Sequence, residues 1–387
     1  MRSPILKLGA AVLVIGVVAA VALAPSIVDR QMNRRLVEPP YHASAAAESL
    51  HQRLVIVDLH NDVLLWGRNI VARSNHGHVD LPRLQEGNVA LAVFSTVTKT
   101  PRGINYHGND STTDQIRLLG VVQRWPWRAI RSRLQRAILE SDRLQAASRA
   151  SHGELRIVLT GRAVDLAIDA HRENPRVVAA LLSTEGLHAL DGEIANVDTL
   201  FAHGFRMAGL THFFDNDIGG SAHGLARGGL TPLGRQVVQR MEQLRMIVDV
   251  AHASPKVIDD VLAMATRPVF VSHTGVQGTC PGPRNLTDDQ LRRIASTGGV
   301  IGIGFWDGAI CTPNAANVAK AIKYAVDIAG IDHVGQGSDF DGATNEPFDV
   351  TGLVLITDQL LKAGFTEEQI AKVMGGNAVR VLSSALP

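Results

Sequence analysis

The sequence predicts a closed (β/α)8 barrel of parallel strands, and three observations predict it. From residue 155 onward, short apolar strands alternate with helical stretches of about a dozen residues, the pattern of βα units built around a parallel sheet. Two apolar runs upstream, Leu54–Asp62 and Val89–Ser95, bring the strand candidates to nine, one more than the ring needs. Six of the strands run into His, Asp or Glu at their C-terminal ends, and in a barrel these ends share one mouth, where such folds do their chemistry.

The elements follow in order. Arg2 and Lys7 precede an apolar stretch from Leu8 to Ala24 that continues weakly to Val28, sufficient with its flanks for a membrane segment. Ala22-Leu23-Ala24 resembles a small-residue cleavage site, but Pro25 would follow the cut, so residues 1–28 are expected as an uncleaved signal anchor in preference to a signal peptide. Arg2 and Lys7 on one side and Arg30, Arg34 and Arg35 on the other leave the orientation open by charge. Both readings put the globular part outside the cytoplasm, membrane-anchored or, after cleavage, secreted. Residues 29–50 read as a linker, broken by Pro39-Pro40 and ending in a short helix, Ser44–Gln52. The domain proper is expected over 51–387.

Leu54–Asp62 is the first strand, heavy in β-branched residues, and Val89–Ser95 the second, with a short helical segment Leu81–Gly87 between them. Residues 100–150 differ: Ile130, Leu134, Ile138 and Leu144 recur at roughly helical spacing, predicting one or two amphipathic helices on the outside of the domain. The arginines here are interrupted by Glu140 and Asp142 and are expected on a solvated face. The remaining strand candidates are Arg156–Leu159, Val178–Ser183, Phe205–Leu210, Met246–Val250, Val269–Ser272, Val300–Phe305 and His333–Gly337. Arg156–Leu159 is short and lies outside the series of strands with functional tips, so it is left out and eight remain. Helices are expected at Gly234–Leu244, Pro255–Ala265, Asp288–Ser296, Ala315–Ala329, Thr351–Leu361 and, last, Thr366–Val373, and the segment Asn377–Ser383 closes the chain.

Composition bounds the function. The 387 residues are 45% hydrophobic, enough for one large core. A net charge of +1 and an aromatic content of 4% argue against nucleic acid as partner. G-x-S-x-G, G-x-x-x-x-G-K-[ST], H-E-x-x-H and C-x-x-C are all absent. Asp215-Asn216-Asp217 hints at a calcium loop, but its twelfth position is Ala226. The two cysteines, Cys280 and Cys311, are open between one disulfide and two buried thiols.

The strand tips carry the chemistry. His60 and Asp62 stand at i and i+2 and share a face on an extended strand. Later tips supply Glu185, His212, His252, His273 and, within G-S-D-F-D-G, Asp339 and Asp341. A ring of imidazoles and carboxylates is hard to sustain without a cation, because the carboxylates repel and dry imidazoles lack partners. His60 and Asp62 suit one ion, His252 and His273 a second, and Glu185 can bridge. Two cations about 3.5–4 Å apart hold a water between them, lower its pKa and polarise a carbonyl. Asp339 is the candidate for carrying the proton, while Asp341, next to Gly342, is expected to shape the turn.

Taken together, D-L-H-N-D (58–62), T-E-G (184–186), L-T-H (210–212), D-V-A-H-A-S (249–254), V-S-H-T (271–274), R-N (284–285) and G-S-D-F-D-G (337–342) resemble the membrane dipeptidase, or renal dipeptidase, family of zinc metallopeptidases over about residues 50 to 385. The resemblance implies an amidohydrolase-like barrel with two Zn2+ per chain and hydrolysis of dipeptides, including those with a C-terminal D-residue. It implies His60 and Asp62 on one zinc, Glu185 bridging, and His252 and His273 on the other. It gives His212 a substrate and intermediate contact, Arg284 the substrate carboxylate and Asp339 the acid–base role. Cys280 and Cys311 fall where animal members pair a disulfide. Trp306 and Asp307 depart from the animal pattern, and the second half of Arg102–Ala150 has no counterpart there. Two other readings are kept: a related hydrolase acting on N-acyl amino acids or lactams, and an inactive membrane-tethered binding protein. Besides the dipeptide and the membrane, a homodimer is entertained as a partner state.

Overall fold

The computed structural model describes residues 4–387, with side chains described from Gly16 onward, residues 17 and 20 excepted. Eight strands form the ring: β1 (Ile56–Asn61), β2 (Val89–Phe94), β3 (Val178–Glu185), β4 (Phe205–Gly209), β5 (Ile247–Asp249), β6 (Phe270–Thr274), β7 (Val300–Ile303) and β8 (Val334–Gln336). Neighbours in sequence are neighbours in the sheet, all parallel. Beyond its last residue β8 meets β1: Asn61 bridges Phe340, the Asp62 N–H donates to the Phe340 carbonyl at 2.9 Å and the Asp339 N–H to that of His60 at 3.2 Å. The seam is therefore closed by residues of two site motifs.

The expected strands are observed with ends shifted by at most two residues. Each of these strands is buried on both faces, which is why they read as continuous apolar runs without alternation. One hydrophobic cluster gathers Val57, Leu59, Leu91, Val93, Leu181, Met207, Phe270 and Val300 with Ala378, Val381 and Leu382 of the last helix, Asn377–Ala385. A larger one packs the opposite strand faces against the surrounding helices. The segment Leu155–Ile157 pairs only with the first half of β3, at Val178–Ala180, while β4 takes over that edge from Leu182. It stays outside the ring, as expected.

The 100–150 region departs from expectation in number and in burial. It forms three helices, Gln115–Val122, Trp127–Arg131 and Arg133–Ala150. Arg128, Arg131 and Arg149 are exposed, but Arg136 and Glu140 are buried. Arg136 donates to the carbonyls of Thr98, Ala129 and Ile130 and pairs with Asp114 at 2.7 Å. Glu140 accepts from the Val97 N–H. These charges satisfy loop backbone at the mouth, a use that helical periodicity does not encode.

The N-terminal helix spans Pro4–Met32. The run Leu8–Ala24, expected as an anchor or signal, lies largely outside the residues whose side chains are described. No helix among the described residues is long and apolar enough to cross a membrane. The stretch 29–50, expected as a linker, is tied to the barrel. Asp29 and Asn33 are buried, Arg34–Arg35 pairs with Asn345–Glu346, and His51 of the Ala45–His51 helix lies 2.8 Å from the Thr357 hydroxyl.

Candidate metal centre and substrate cavity

Two of the ring's irregularities lie where the candidate ligands stand. β1 loses register against β2 between Asp58 and Asn61, around His60, and β6 loses register against β7 between Val271 and Thr274, around His273. Such breaks re-aim side chains at sheet ends. His252 and Asp339 sit in the left-handed region, with φ of 61° and 68°, where non-glycine residues are uncommon and functional sites are enriched.

These turns bring the tips together on Glu185. Its Oε1 lies 2.8 Å from His252 Nε2, 3.2 Å from His273 Nε2 and 3.8 Å from His60 Nε2, and its Oε2 lies 3.2 Å from His212 Nε2. His60 Nε2 is 3.5 Å from Asp62 and 4.0 Å from Asp339. Three sets therefore have ligand atoms within 4.8 Å of one another: His60, Glu185 and His273; Glu185, His212 and His252; His60, Asp62 and Asp339. Ser272 Oγ, 2.8 Å from His273 Nδ1, turns that ring so that Nε2 faces Glu185.

The side chains fit divalent cations. His60 Nε2 and Asp62 Oδ1 are buried with no hydrogen-bond partner among the described residues, an arrangement that costs free energy unless another group is served. Burial raises Glu185 well above the usual carboxylate range, and Asp62 adds to it. Burial likewise lifts Asp339 to about 8, with His60 and Arg284 opposing and Asp62 adding. Burial pulls His60 down, yet Asp62, Glu185 and Asp339 bring it up to about 10. His252 and His273 are held well below the ordinary imidazole value by burial, so they present neutral nitrogens. The side chains alone therefore crowd carboxylates whose charge only protons offset, and neutral imidazoles beside carboxylates are the donor set of zinc and similar ions.

Asp62, Glu185, His212, His252 and Asp339 of the cluster line a cavity of about 530 Å3, whose wall includes Arg284, Phe213 and Trp306. Arg284 is buried, donates from Nη2 to the His273 carbonyl at 2.8 Å and lies 5.1 Å from the Trp306 ring centre. Its Nε has no partner among the described residues.

A family model for membrane dipeptidases, peptidase family M19, matches residues 44–386. The chain belongs to this family. It is an M19 metallo-dipeptidase, a hydrolase of dipeptides. The dipeptidase is similar to dipeptidase aclJ of Aspergillus oryzae, 29% identical over 377 residues that cover 90% of this chain and 82% of that one. Among solved structures it resembles the probable dipeptidase PvdM of Pseudomonas aeruginosa, with a TM-score of 0.73 and 22% identity over 88% of this chain and 97% of that one. It also resembles a Rhodobacter sphaeroides metallopeptidase bound to a phosphinate mimic of L-Ala-D-Ala, with a TM-score of 0.69 and 24% identity over 85% and 99%.

The structure gathers all the expected site residues of the dipeptidase at one mouth, and it joins Cys280 to Cys311 in a disulfide. Asp341 stands apart from the cluster. It accepts from the His78 and Val79 N–H groups at 2.8 and 3.0 Å and pairs with Arg68 at 2.7 Å. Burial acts to raise it, but Arg68 and His78 hold it well below the usual carboxylate range. Supporting groups went unread in the sequence. Asp58 accepts from the Ser338 N–H and hydroxyl, both at 2.8 Å, and so ties β1 to the Asp339 loop. Asp249 accepts from Ala251 and Ser272 N–H groups, at 2.9 Å each. Asp58 stands two residues before His60, a spacing that could have found it. Nothing in the spacing of Glu140 or Arg136 marks them.

Proposed function

We propose that the dipeptidase uses two zinc ions, His60 and Asp62 holding one, His252 and His273 the other, and Glu185 serving both. The observation that carries this is the single Glu185 oxygen set among the Nε2 atoms of His60, His252 and His273. When bound, such a pair lowers the pKa of a water and polarises the peptide carbonyl. Asp339 takes the proton from the attacking water and returns it to the leaving amine. His212 faces the developing oxyanion and offers it a hydrogen bond. Arg284 holds the C-terminal carboxylate by two parallel N–H bonds, as a planar guanidinium does, which confines the site to very short peptides. Acceptance of a C-terminal D-residue is part of the proposal, supported by the L-Ala-D-Ala mimic in the Rhodobacter neighbour. The apolar N-terminal stretch is proposed to hold the barrel at a membrane, outside the cytoplasm, and the disulfide suits an oxidising compartment.

The test is metal analysis of the purified chain together with a panel of L,L- and L,D-dipeptides, their C-terminal amides and N-acyl amino acids. Hydrolysis of free dipeptides with zinc bound is expected, with KM raised at least tenfold for the amides. Equal turnover of dipeptide and amide would remove Arg284 from its role, and preference for N-acyl amino acids would favour the related hydrolase.

A further inference from the structure

We propose that the last turns of the N-terminal helix are part of the substrate site, with Val28 and Met32 forming a wall of an apolar subsite for the side chain of the dipeptide's amino-terminal residue. This rests on the dipeptidase reading and goes further than it.

Val28 and Met32 are four residues apart, so they share one face of the helix. Both are half-buried and pack against a cluster that includes Leu65, Trp66, Ile116 and Leu119. The same two residues line the cavity whose floor holds Asp62, Glu185 and Asp339. The wall lies on the side of the mouth built by the loops after β1, β2 and β8, since Leu65 and Trp66 follow β1, Ile116 and Leu119 lie between β2 and β3, and Ala343 beside them follows β8. Arg284 follows β6. A dipeptide with its carboxylate on Arg284 and its scissile bond over Glu185 therefore turns its amino-terminal residue toward this wall.

The turn is not a passing strap resting on the rim. Asp29 is buried, its Oδ2 lies 3.1 Å from Arg68 Nε and 3.1 Å from His76 Nε2, and its Oδ1 accepts from Asn33 at 2.8 Å. Arg68 reaches past it to Asp341 at 2.7 Å. Asn33 Oδ1 in turn accepts from the Ala343 N–H at 3.0 Å. Asp341 and Ala343 belong to the loop that carries Asp339. The helix end and the acid–base loop are thus locked by a shared guanidinium and a side-chain-to-backbone bond, which fixes Val28 and Met32 relative to the reacting centre. A buried charge set of this kind holds position strongly when intact and is costly to break.

The experiment measures kcat/KM of the full-length, metal-loaded enzyme on Leu-D-Ala and Gly-D-Ala and reads their ratio. Met32→Ala is expected to lower the Leu/Gly ratio by about tenfold, since one methylene in an apolar pocket already discriminates by that order, with the loss chiefly in KM. Val28→Ala gives the same direction, Met32→Leu restores the wild-type ratio, and Asp29→Asn lowers it by loosening the lock. Ile27→Ala, on the exposed side of the helix, leaves it unchanged. A ratio within twofold of wild type in Met32→Ala, Val28→Ala and Asp29→Asn, with turnover intact, overturns the subsite. Wild-type enzyme that hydrolyses neither dipeptide overturns the dipeptidase reading itself and the subsite with it.

Discussion

Glu185→Gln keeps the outline of the side chain but removes a charge and turns one ligating oxygen into an NH2 group, which cannot hold a cation. Oε1 is the atom within 2.8 to 3.8 Å of His252, His273 and His60, so both halves of the centre lose a ligand at once. Loss of a supporting hydrogen bond around a metal ligand costs 10–100-fold in affinity, and loss of the shared ligand is expected to exceed that. Each ion then weakens by at least about 100-fold, or roughly 2.8 kcal/mol at 1.4 kcal/mol per tenfold. The fold is expected to survive, because Glu185 is buried and raised well above the usual carboxylate range, where a neutral amide is the easier guest. The assay is zinc content by plasma mass spectrometry after dialysis against a weak chelator, read beside dipeptide turnover. Wild type should hold about two ions, His252→Ala about one, and Glu185→Gln close to none, with turnover lost in both variants. A Glu185→Gln protein that keeps both ions and cleaves dipeptide at the wild-type rate refutes the shared-carboxylate reasoning.

Three other outcomes follow from the same structure. Asp339→Asn suits the left-handed backbone at φ 68° and should keep both ions while turnover falls by about 10²–10⁴-fold; surviving turnover would remove Asp339 from proton transfer. His51 is buried between Thr357 and the Gly87 carbonyl, and burial lowers it from 6.5 to about 4 against the pull of that carbonyl. Between those values the unfolded chain binds the extra proton, so this stability is full above pH 6.5 and is lost as pH falls toward 4, by roughly 3 kcal/mol; urea midpoints of wild type and His51→Gln across this range should converge on acidification, and parallel curves would dismiss the effect. The Cys280–Cys311 bond closes a separation of 31 residues, and the loop-entropy relation gives it roughly 3–4 kcal/mol; Cys280→Ser with Cys311→Ser should lower Tm, and an unchanged Tm without reductant would show that the bond contributes nothing.

Much of the site was legible because its chemistry is punctual. His60, Asp62, Glu185, His212, His252, His273 and Asp339 each follow an apolar run, and in parallel βα units the C-terminal ends of such runs share one side whatever lies between them. The buried roles of Glu140 and Arg136 are not legible for the opposite reason. Their neighbours look like any surface helix, and only the three-dimensional course of the Val97–Thr98 and Ala129–Ile130 backbone gives them partners.

By itself, then, the sequence determined the ring, its eight strands and the imidazoles and carboxylates at its tips, since burial on both faces and alternation with helices are local patterns. Only the tertiary structure decided which of these side chains face one another. The register breaks around His60 and His273, the left-handed turns at His252 and Asp339 and the placing of one Glu185 oxygen among three imidazoles depend on strands far apart in the chain. The same holds for the N-terminal helix. Residues 29–50 have the composition of a linker, yet Asp29 finds Arg68 and Asn33 finds Ala343, and a polar residue becomes part of a core only when the fold brings its partner to it.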